Sequence, residues 1–142
     1  MDENYSNYLH TETTEQIIKA AYYVYNYLGS GFLESVYEKS LELRLKQIGH
    51  SVIRQDPIKV YFEEELVGDF RADLVVDDKV IVELKAVEDL HPIHEVQLVN
   101  YLKATEIEVG LLINFGNKIT IKRRVFSNFR KITEKRIPGE NT

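Results

Sequence analysis

Along the first third of the chain, apolar residues recur every three or four positions, as on one face of a helix. The first stripe comprises Ile17, Ala20, Ala21, Val24 and Leu28, and the second comprises Leu33, Val36, Tyr37, Leu41, Leu45 and Ile48. Gly29 and Gly49 follow the two stripes, where glycine commonly ends a helix. The pattern predicts two amphipathic helices that are joined by a short turn and packed on a sheet.

After Gly49 the period falls toward two and β-branched residues dominate, which predicts strands. The strand segments are Val52–Ile53, Ile58–Phe62, Leu66–Val76, Val80–Val87, Val109–Phe115 and Ile119–Phe126. Pro92 predicts the start of a third helix that runs to Lys103. The order α-α-β-β-β-α-β-β, with a crossover helix between two strands, predicts an α/β domain with a mixed β-sheet flanked by helices.

The clearest alternation covers residues 70–76 and 80–86, which predicts the two strands of one hairpin. Its apolar positions are Ala72, Leu74 and Val76 on the first strand and Val80, Val82, Leu84 and Ala86 on the second. For both sets to meet one core, opposed residues share a face, which pairs Asp73 with Glu83. This register requires a three-residue turn at residues 77–79, because a two-residue turn would pair Asp73 with Val82.

In this register, two carboxylates and a lysine converge. The Cβ atoms of Asp73 and Glu83 are expected roughly 5 Å apart, and Lys85 follows on the same face about 7 Å along the strand. Opposed carboxylates repel unless a cation lies between them, one is protonated, or both point into water. A metal site made of a small number of carboxylates together with water molecules suits Mg²⁺ or Mn²⁺. The alternative is a solvated face with an ordinary Lys85 ion pair, but Val75 and Ile81 share this face and favour its being covered.

The composition indicates one globular domain and excludes several kinds of site. The chain has 142 residues and no cysteine, so disulfides, thiol nucleophiles and cysteine-based metal sites are excluded. No apolar run approaches the roughly 20 residues of a membrane span, and the N-terminus lacks a secretory signal, so we expect a cytoplasmic protein without membrane contact. Residues 1–12 are expected to form a flexible arm, residues 13–126 the domain, and residues 127–142 a basic, frayed tail.

Charge is unevenly distributed along the chain. The net charge is −5, yet residues 118–142 carry 8 Lys/Arg against 2 Asp/Glu, whereas residues 1–117 carry 10 against 21. A basic segment can neutralise phosphates, and Lys122, Arg123 and Arg124 are the candidate nucleic-acid contacts. A solvated strand and tail without a partner explains the same charges.

The acidic hairpin resembles a known catalytic signature. Asp73, followed by Glu83-Leu84-Lys85 on the next strand, resembles the Asp…Glu-x-Lys motif of the PD-(D/E)xK nuclease superfamily, although Ala72 stands where that superfamily has proline. The resemblance covers residues 13–126 and implies a restriction-endonuclease-like fold. It also implies that Asp73 and Glu83 bind Mg²⁺ or Mn²⁺ and that Lys85 assists the attacking water.

Two further motifs resemble branches of the same superfamily. Gly31, Glu34 and Tyr37 match the spacing that names the GxxExxY proteins, which implies that Glu34 is a further catalytic, metal-binding carboxylate. A glutamate in the first turn of a helix is also stabilised by the helix dipole alone. Gln97 and Tyr101 are similar to the Gln-xxx-Tyr element of exonuclease-like branches and would support the catalytic site, although ordinary packing explains them equally well.

Together these features predict a metal-dependent nuclease that acts on nucleic acid, on DNA in preference to RNA. A catalytically inactive nuclease-fold module that binds nucleic acid or protein is the first alternative, since the superfamily includes such members. A homo-oligomeric accessory protein is the second. It would use the tyrosines around the first helix, which also offer a homodimer interface: Tyr22, Tyr23, Tyr25 and Tyr27.

Overall fold

The structure, a computed structural model, describes residues 9–134 of the chain. The helices in this range are α1 (Thr11–Leu28), α2 (Glu34–Gln47), α3 (Pro92–Lys103) and α4 (Asn128–Glu134). The strands are β1 (Val52–Phe62), β2 (Glu65–Val76), β3 (Val80–Lys85), β4 (Val109–Phe115) and β5 (Ile119–Val125). Within this part of the chain, no helix is long and apolar enough to cross a membrane.

The strands form one mixed sheet in the order β1-β2-β3-β4-β5. β3 and β4 are parallel and are connected through α3, whereas the other neighbouring pairs are antiparallel. The predicted α/β architecture, with a mixed sheet and flanking helices, is confirmed. β4 is buried along its whole length. β1 is an edge strand, where Pro57 is tolerated although it has no amide hydrogen.

The core lies on both sides of the sheet. On one side, α1 and α2 pack residues such as Ile17 and Leu41 against alternate residues of β3. On the other side, α3 packs Leu98 against Val75 and Ile81. α3 lies so close to β4 that a Cβ atom at Gly110 would be 2.6 Å from Leu98 Cδ1, so any larger residue would displace the buried Leu98 side chain.

The register of the β2-β3 hairpin is as predicted. Leu74 pairs with Val82 and Val76 with Val80, which leaves residues 77–79 as the turn. Asp77 and Asp78 both have φ of 53°, in the left-handed region that aspartate tolerates in turns. The three-residue turn and the side-chain faces that follow from it near the turn are therefore confirmed.

The β1-β2 hairpin departs from the predicted pattern at its middle. β1 runs unbroken from Val52 to Phe62 rather than as two segments, and Gln55 within it has φ of 57°. Ala72 packs in the cluster on the α3 side, whereas Leu74 packs in the cluster on the α1 and α2 side. Strict alternation would place Ala72 and Leu74 on one face, so the conformation changes between them, at the level of Gln55.

The two ends of the described range are helical. α1 begins at Thr11, inside the predicted arm, and residues 1–8 lie outside the described part. α4 occupies residues 128–134 of the predicted tail. Its Lys131 is buried and donates hydrogen bonds to the carbonyls of Thr105 and Ile107, both at 2.8 Å. The ammonium group of Lys131 therefore stabilises the packing of α4. Residues 135–142 lie outside the described residues.

Candidate active site

The candidate catalytic acids lie where the β2-β3 hairpin opens. Backbone pairing between the two strands extends from the turn to Leu74 and Val82. One residue further, the Asp73 backbone N–H donates to Glu83 Oε2 at 2.6 Å, and the Leu84 N–H donates to Asp73 Oδ2 at 2.8 Å. Each carboxylate therefore accepts a backbone hydrogen bond from the opposite strand, which holds the two side chains in one place.

Two residues that the sequence pattern did not single out complete this arrangement. Gln55 lies opposite Asp73, where the ladder between β1 and β2 is interrupted. Its Nε2 atom donates to Glu38 Oε1 at 2.5 Å and to Asp73 Oδ1 at 3.3 Å. Glu38 is four residues after Glu34 on α2, a spacing that places both on one helix face and was the available signal. A left-handed residue other than glycine costs roughly 1–2 kcal/mol, and such strain clusters at functional sites.

The turn between α1 and α2 brings Glu34 to the same site. Gly31 has φ of 103°, which favours glycine, and α2 begins at Glu34 three residues later. The buried Tyr37 donates its hydroxyl hydrogen to the Gly29 carbonyl at 2.6 Å and accepts from the Phe32 N–H at 3.3 Å. Tyr37 therefore ties down the turn from which Glu34 projects.

Burial and mutual repulsion act on the two cross-bonded acids. Burial, followed by the negative charge of Asp73, raises the pKa of Glu83 to about 8. Burial also raises the pKa of Asp73, although the hydrogen bonds from Leu84 and Gln55 oppose this shift. In the metal-free protein near neutral pH, the proton that Glu83 holds therefore relieves the repulsion between the pair.

Lys85 supplies positive charge to this acidic cluster. Its ammonium group lowers the pKa values of Asp73, Glu83 and Glu34, so it lies near all three carboxylates. Burial nonetheless raises the pKa values of Glu34 and Glu38 above their ordinary range. Several half-buried or buried acids with raised pKa values in one place are typical of a functional site.

The donor set fits a hard divalent cation that keeps part of its water shell. Within residues 9–134, no three His, Cys, Asp or Glu side chains are grouped so that they could hold a metal ion together. Mg²⁺ is usually held by one or two carboxylates, with water and substrate phosphate oxygens completing its shell. Asp73 and Glu83 provide such a pair, and Glu34 adds negative charge beside it without forming a closed three-acid group.

α3 borders the acids through its predicted Gln-xxx-Tyr pair. Gln97 Nε2 donates to the Tyr101 hydroxyl at 2.5 Å. Burial raises the pKa of Tyr101, the hydrogen bond from Gln97 lowers it, and the charges of Glu83 and Asp73 raise it further. The structure therefore brings Tyr101 close to both catalytic candidates, with Gln97 one helical turn earlier.

The three candidate nucleic-acid contacts of β5 do not share one face. Lys122 Nζ lies 3.5 Å from Glu95 Oε1, and Arg124 forms an ion pair with the other carboxylate oxygen of Glu95. Arg123 donates instead to the carbonyl of Leu9, next to α1, at 2.7 Å. Strand alternation thus separates Arg123 from the other two, and binding of nucleic acid by these residues stays a prediction.

Comparison with known proteins finds a matching family model and a similar solved structure. The model of a family described as "PD-(D/E)XK nuclease superfamily" matches residues 11–125. No curated protein matches the chain significantly. A solved structure titled "Crystal structure of SSO0001" is similar at a TM-score of 0.52 and 15% identity, over 89% of this chain and 66% of that one, a likeness of fold alone. Since the family model spans the sheet, the acids and Lys85, the chain belongs to the PD-(D/E)XK nuclease superfamily.

Proposed function

We propose that this chain is a metal-dependent nuclease that hydrolyses phosphodiester bonds, in DNA rather than RNA. The observation that carries the proposal is the cross-strand pair of Asp73 and Glu83, with Lys85 beside it. A solvated hairpin face would not bury its acids, whereas Glu83 is buried and Asp73 half-buried. Membership of a nuclease superfamily supports the same reading.

In this proposal, each residue of the site has a separate role. Asp73 and Glu83 hold Mg²⁺ or Mn²⁺, with Glu34 as the third carboxylate next to them. When bound, the ion supplies a water of lowered pKa and neutralises charge on the phosphate. Lys85 directs its ammonium hydrogens to the attacking water or to a phosphate oxygen, where charge develops.

Gln97 and Tyr101 act in this proposal as positioning residues. Their hydrogen bond holds both side chains at the border between α3 and the acids. Tyr101 is almost completely buried, so its hydroxyl keeps a fixed orientation, while the exposed Gln97 retains free donor and acceptor capacity for water or substrate.

We further place the chain in the GxxExxY branch of the superfamily. Three physical roles support this assignment: Gly31 takes the left-handed turn, Glu34 starts α2 beside the acids, and Tyr37 locks the turn through its hydroxyl. The three residues of the GxxExxY motif thus act together to position the Glu34 carboxylate beside the acids.

Cleavage assays test the proposal. Purified protein is incubated with plasmid, single-stranded DNA, branched DNA and RNA in the presence of Mn²⁺. We expect cleavage that requires the metal and that falls by at least about 100-fold in Glu83→Ala and in Lys85→Ala. The exposed turn residues Glu64 and Lys79 provide matched controls, and Glu64→Ala and Lys79→Ala should retain wild-type rates.

Metal binding separates an enzyme from an inactive relative of the same fold. Mn²⁺ should raise the melting temperature of the wild-type protein but not that of Asp73→Asn or Glu83→Gln. An absence of metal-dependent cleavage, or equal cleavage by the variants, contradicts the nuclease proposal. A protein that binds nucleic acid without such stabilisation and without cleavage is the inactive module.

A further inference from the structure

A groove of about 720 Å³ lies between α3 and the part of the β1-β2 hairpin that extends past the end of β3. It opens on the surface beside the catalytic candidates rather than between them. The hairpin wall is formed by Lys59, Val60, Tyr61 and Phe70, and the helix wall by Ile93, Val96, Gln97, Asn100, Tyr101, Lys103 and Ala104.

The walls of the groove are aromatic and aliphatic yet exposed. Tyr61 is 57% exposed, Phe70 46%, Ile93 59% and Val96 55%. The ring centroids of Phe70 and Tyr101, which belong to opposite walls, lie 5.9 Å apart, and the two rings are tilted by 43°. Exposed aromatic faces in a concave surface suit a flat, apolar ligand group that can stack on them.

The charge of the groove is positive in a chain that is acidic overall. The charged residues that line it are Lys59 and Lys103, and no aspartate or glutamate is among the lining residues. Within the described part of the chain, neither lysine forms an ion pair. The Lys103 ammonium lies 5.3 Å from the centroid of the Phe126 ring, which does not line the groove. Aromatic rings interspersed with lysines are the surface that proteins use for bases and phosphates of single strands.

The groove is continuous with the candidate active site through α3. Gln97 and Tyr101 line the groove and also form the hydrogen-bonded pair that borders Asp73 and Glu83. A chain of nucleotides that leaves the catalytic acids along α3 would therefore enter the groove.

We propose that the groove binds unpaired nucleotides adjacent to the cleaved phosphodiester, with bases stacked on Phe70 and Tyr61 and phosphates near Lys59 and Lys103. The inference rests on the proposed nuclease function and narrows its substrate to nucleic acid with a single-stranded segment. In a duplex, neighbouring base pairs cover both faces of each base, so only unpaired bases can stack on these rings.

The basic residues of β5 favour the same substrate class. Duplex binding without base contacts depends on several lysines or arginines that neutralise phosphates. On β5, however, Lys122 and Arg124 are paired with Glu95, and Arg123 donates to the carbonyl of Leu9 on the far side of the sheet.

The test is fluorescence anisotropy with the full chain in EDTA, so that no cleavage occurs. The probes are a fluorescein-labelled 20-mer of thymidylate, an abasic 20-mer with the same number of phosphates, and a 20-base-pair duplex. We expect the thymidylate strand to bind more tightly than both other probes. Phe70→Ala and Tyr61→Ala should each weaken its binding by about 10-fold, towards the affinity of the abasic strand.

The matched control is Tyr27→Ala, which removes an exposed tyrosine, 82% accessible, on α1 rather than in the groove. It should bind like the wild type. Circular dichroism confirms the fold of each variant, and the more exposed Tyr61 decides the question if Phe70→Ala fails to fold. Wild-type affinity in Tyr61→Ala, tighter binding of the duplex, or no binding of the strand overturns the inference.

A separate Mn²⁺ cleavage assay distinguishes the two proposals. If the wild type cleaves nucleic acid and the groove variants bind and cleave it equally well, the groove proposal is contradicted and the nuclease proposal is supported. If the groove variants bind the single strand more weakly but no protein cleaves it with Mn²⁺, the nuclease proposal is contradicted and the groove is a single-strand binding site.

Discussion

Glu83 shows how strongly a single residue of this protein depends on its surroundings. It is buried beside Asp73, and its pKa is raised to about 8. Binding of a cation at the pair must displace that proton, so metal affinity should increase with pH up to that pKa value. The same proton makes the stability of the metal-free protein depend on pH.

We expect the metal-free wild type to lose stability between pH 5.5 and pH 8, relative to Glu83→Gln. The folded state keeps a proton that the unfolded chain loses above its ordinary pKa of 4.5, so stability is highest below that value and falls as pH rises toward 8. The slope approaches about 1.4 kcal/mol per pH unit. Urea unfolding in EDTA at several pH values measures it.

The comparison for this prediction is Glu64→Gln, which changes an exposed acid in the β1-β2 turn. Glu64→Gln should follow the wild-type pH dependence. A Glu83→Gln variant with the same pH dependence as the wild type contradicts the raised pKa.

Tyr37→Phe should destabilise the fold by about 1–2 kcal/mol. The change removes the hydroxyl that donates to the Gly29 carbonyl and accepts from the Phe32 N–H, while the ring stays stacked on Phe115. Because Tyr37 holds the turn before Glu34, metal-dependent cleavage should fall as well. Denaturant unfolding and the cleavage assay test both, with Tyr27→Phe as the exposed control. A stability equal to that of the control would show that the hydroxyl does not hold the turn.

At the scale of an element, β1 is an edge strand that contains one strained residue. Gln55 leaves the extended conformation inside the strand and aims its amide at Glu38 and Asp73. The hydrogen-bond ladder is interrupted there, and the hairpin turns different faces to the two helix layers on either side. The strained conformation of Gln55 therefore helps to position the Asp73 side chain.

This strain predicts an inverted order of stability for two variants. Gln55→Gly should be more stable than Gln55→Ala by roughly 1 kcal/mol, because glycine adopts positive φ without steric cost. At Ile53, an exposed residue in the regular part of β1, the same two substitutions should show the ordinary order, with alanine more stable. Urea unfolding of the four variants provides the measurement. The ordinary order at Gln55 would refute the strained conformation.

At the scale of the whole molecule, the described basic residues of β5 and α4 are taken up by contacts within the fold. The chain carries a net charge of −5. Lys131 is buried under α4, and Lys122 and Arg124 are paired with Glu95. If the groove binds a single strand, its two lysines supply most of the electrostatic attraction.

The salt dependence of single-strand binding should therefore be shallow. For two neutralised phosphates, the logarithm of the binding constant should fall with the logarithm of salt concentration with a slope of about −1.4. Lys59→Gln should reduce the magnitude of this slope by about 0.7, whereas Lys39→Gln, an exposed lysine on α2, should leave it unchanged. Anisotropy titrations at several NaCl concentrations test this, and a slope several times steeper would indicate a broad basic surface instead.

The sequence determined most of the elements, although not the unbroken β1 or α4, and the register next to the central turn, because periodicity and the matching of apolar faces are local constraints. Alternation in residues 70–86 was enough to predict the three-residue turn and the pairing of Leu74 with Val82 and of Val76 with Val80. Pro92 and Lys103 marked the limits of α3 correctly. These features follow from neighbours along the chain or across one hairpin.

Only the tertiary structure decided which polar residues meet. Gln55 joins the acids because one left-handed residue turns its strand, and Arg123 is separated from Lys122 because alternate residues of an edge strand face different layers. Both outcomes depend on contacts between elements distant in sequence. Hydrophobic periodicity specifies where the apolar faces go, whereas the partners of a charged or amide group are specified by whatever packing brings within hydrogen-bond distance.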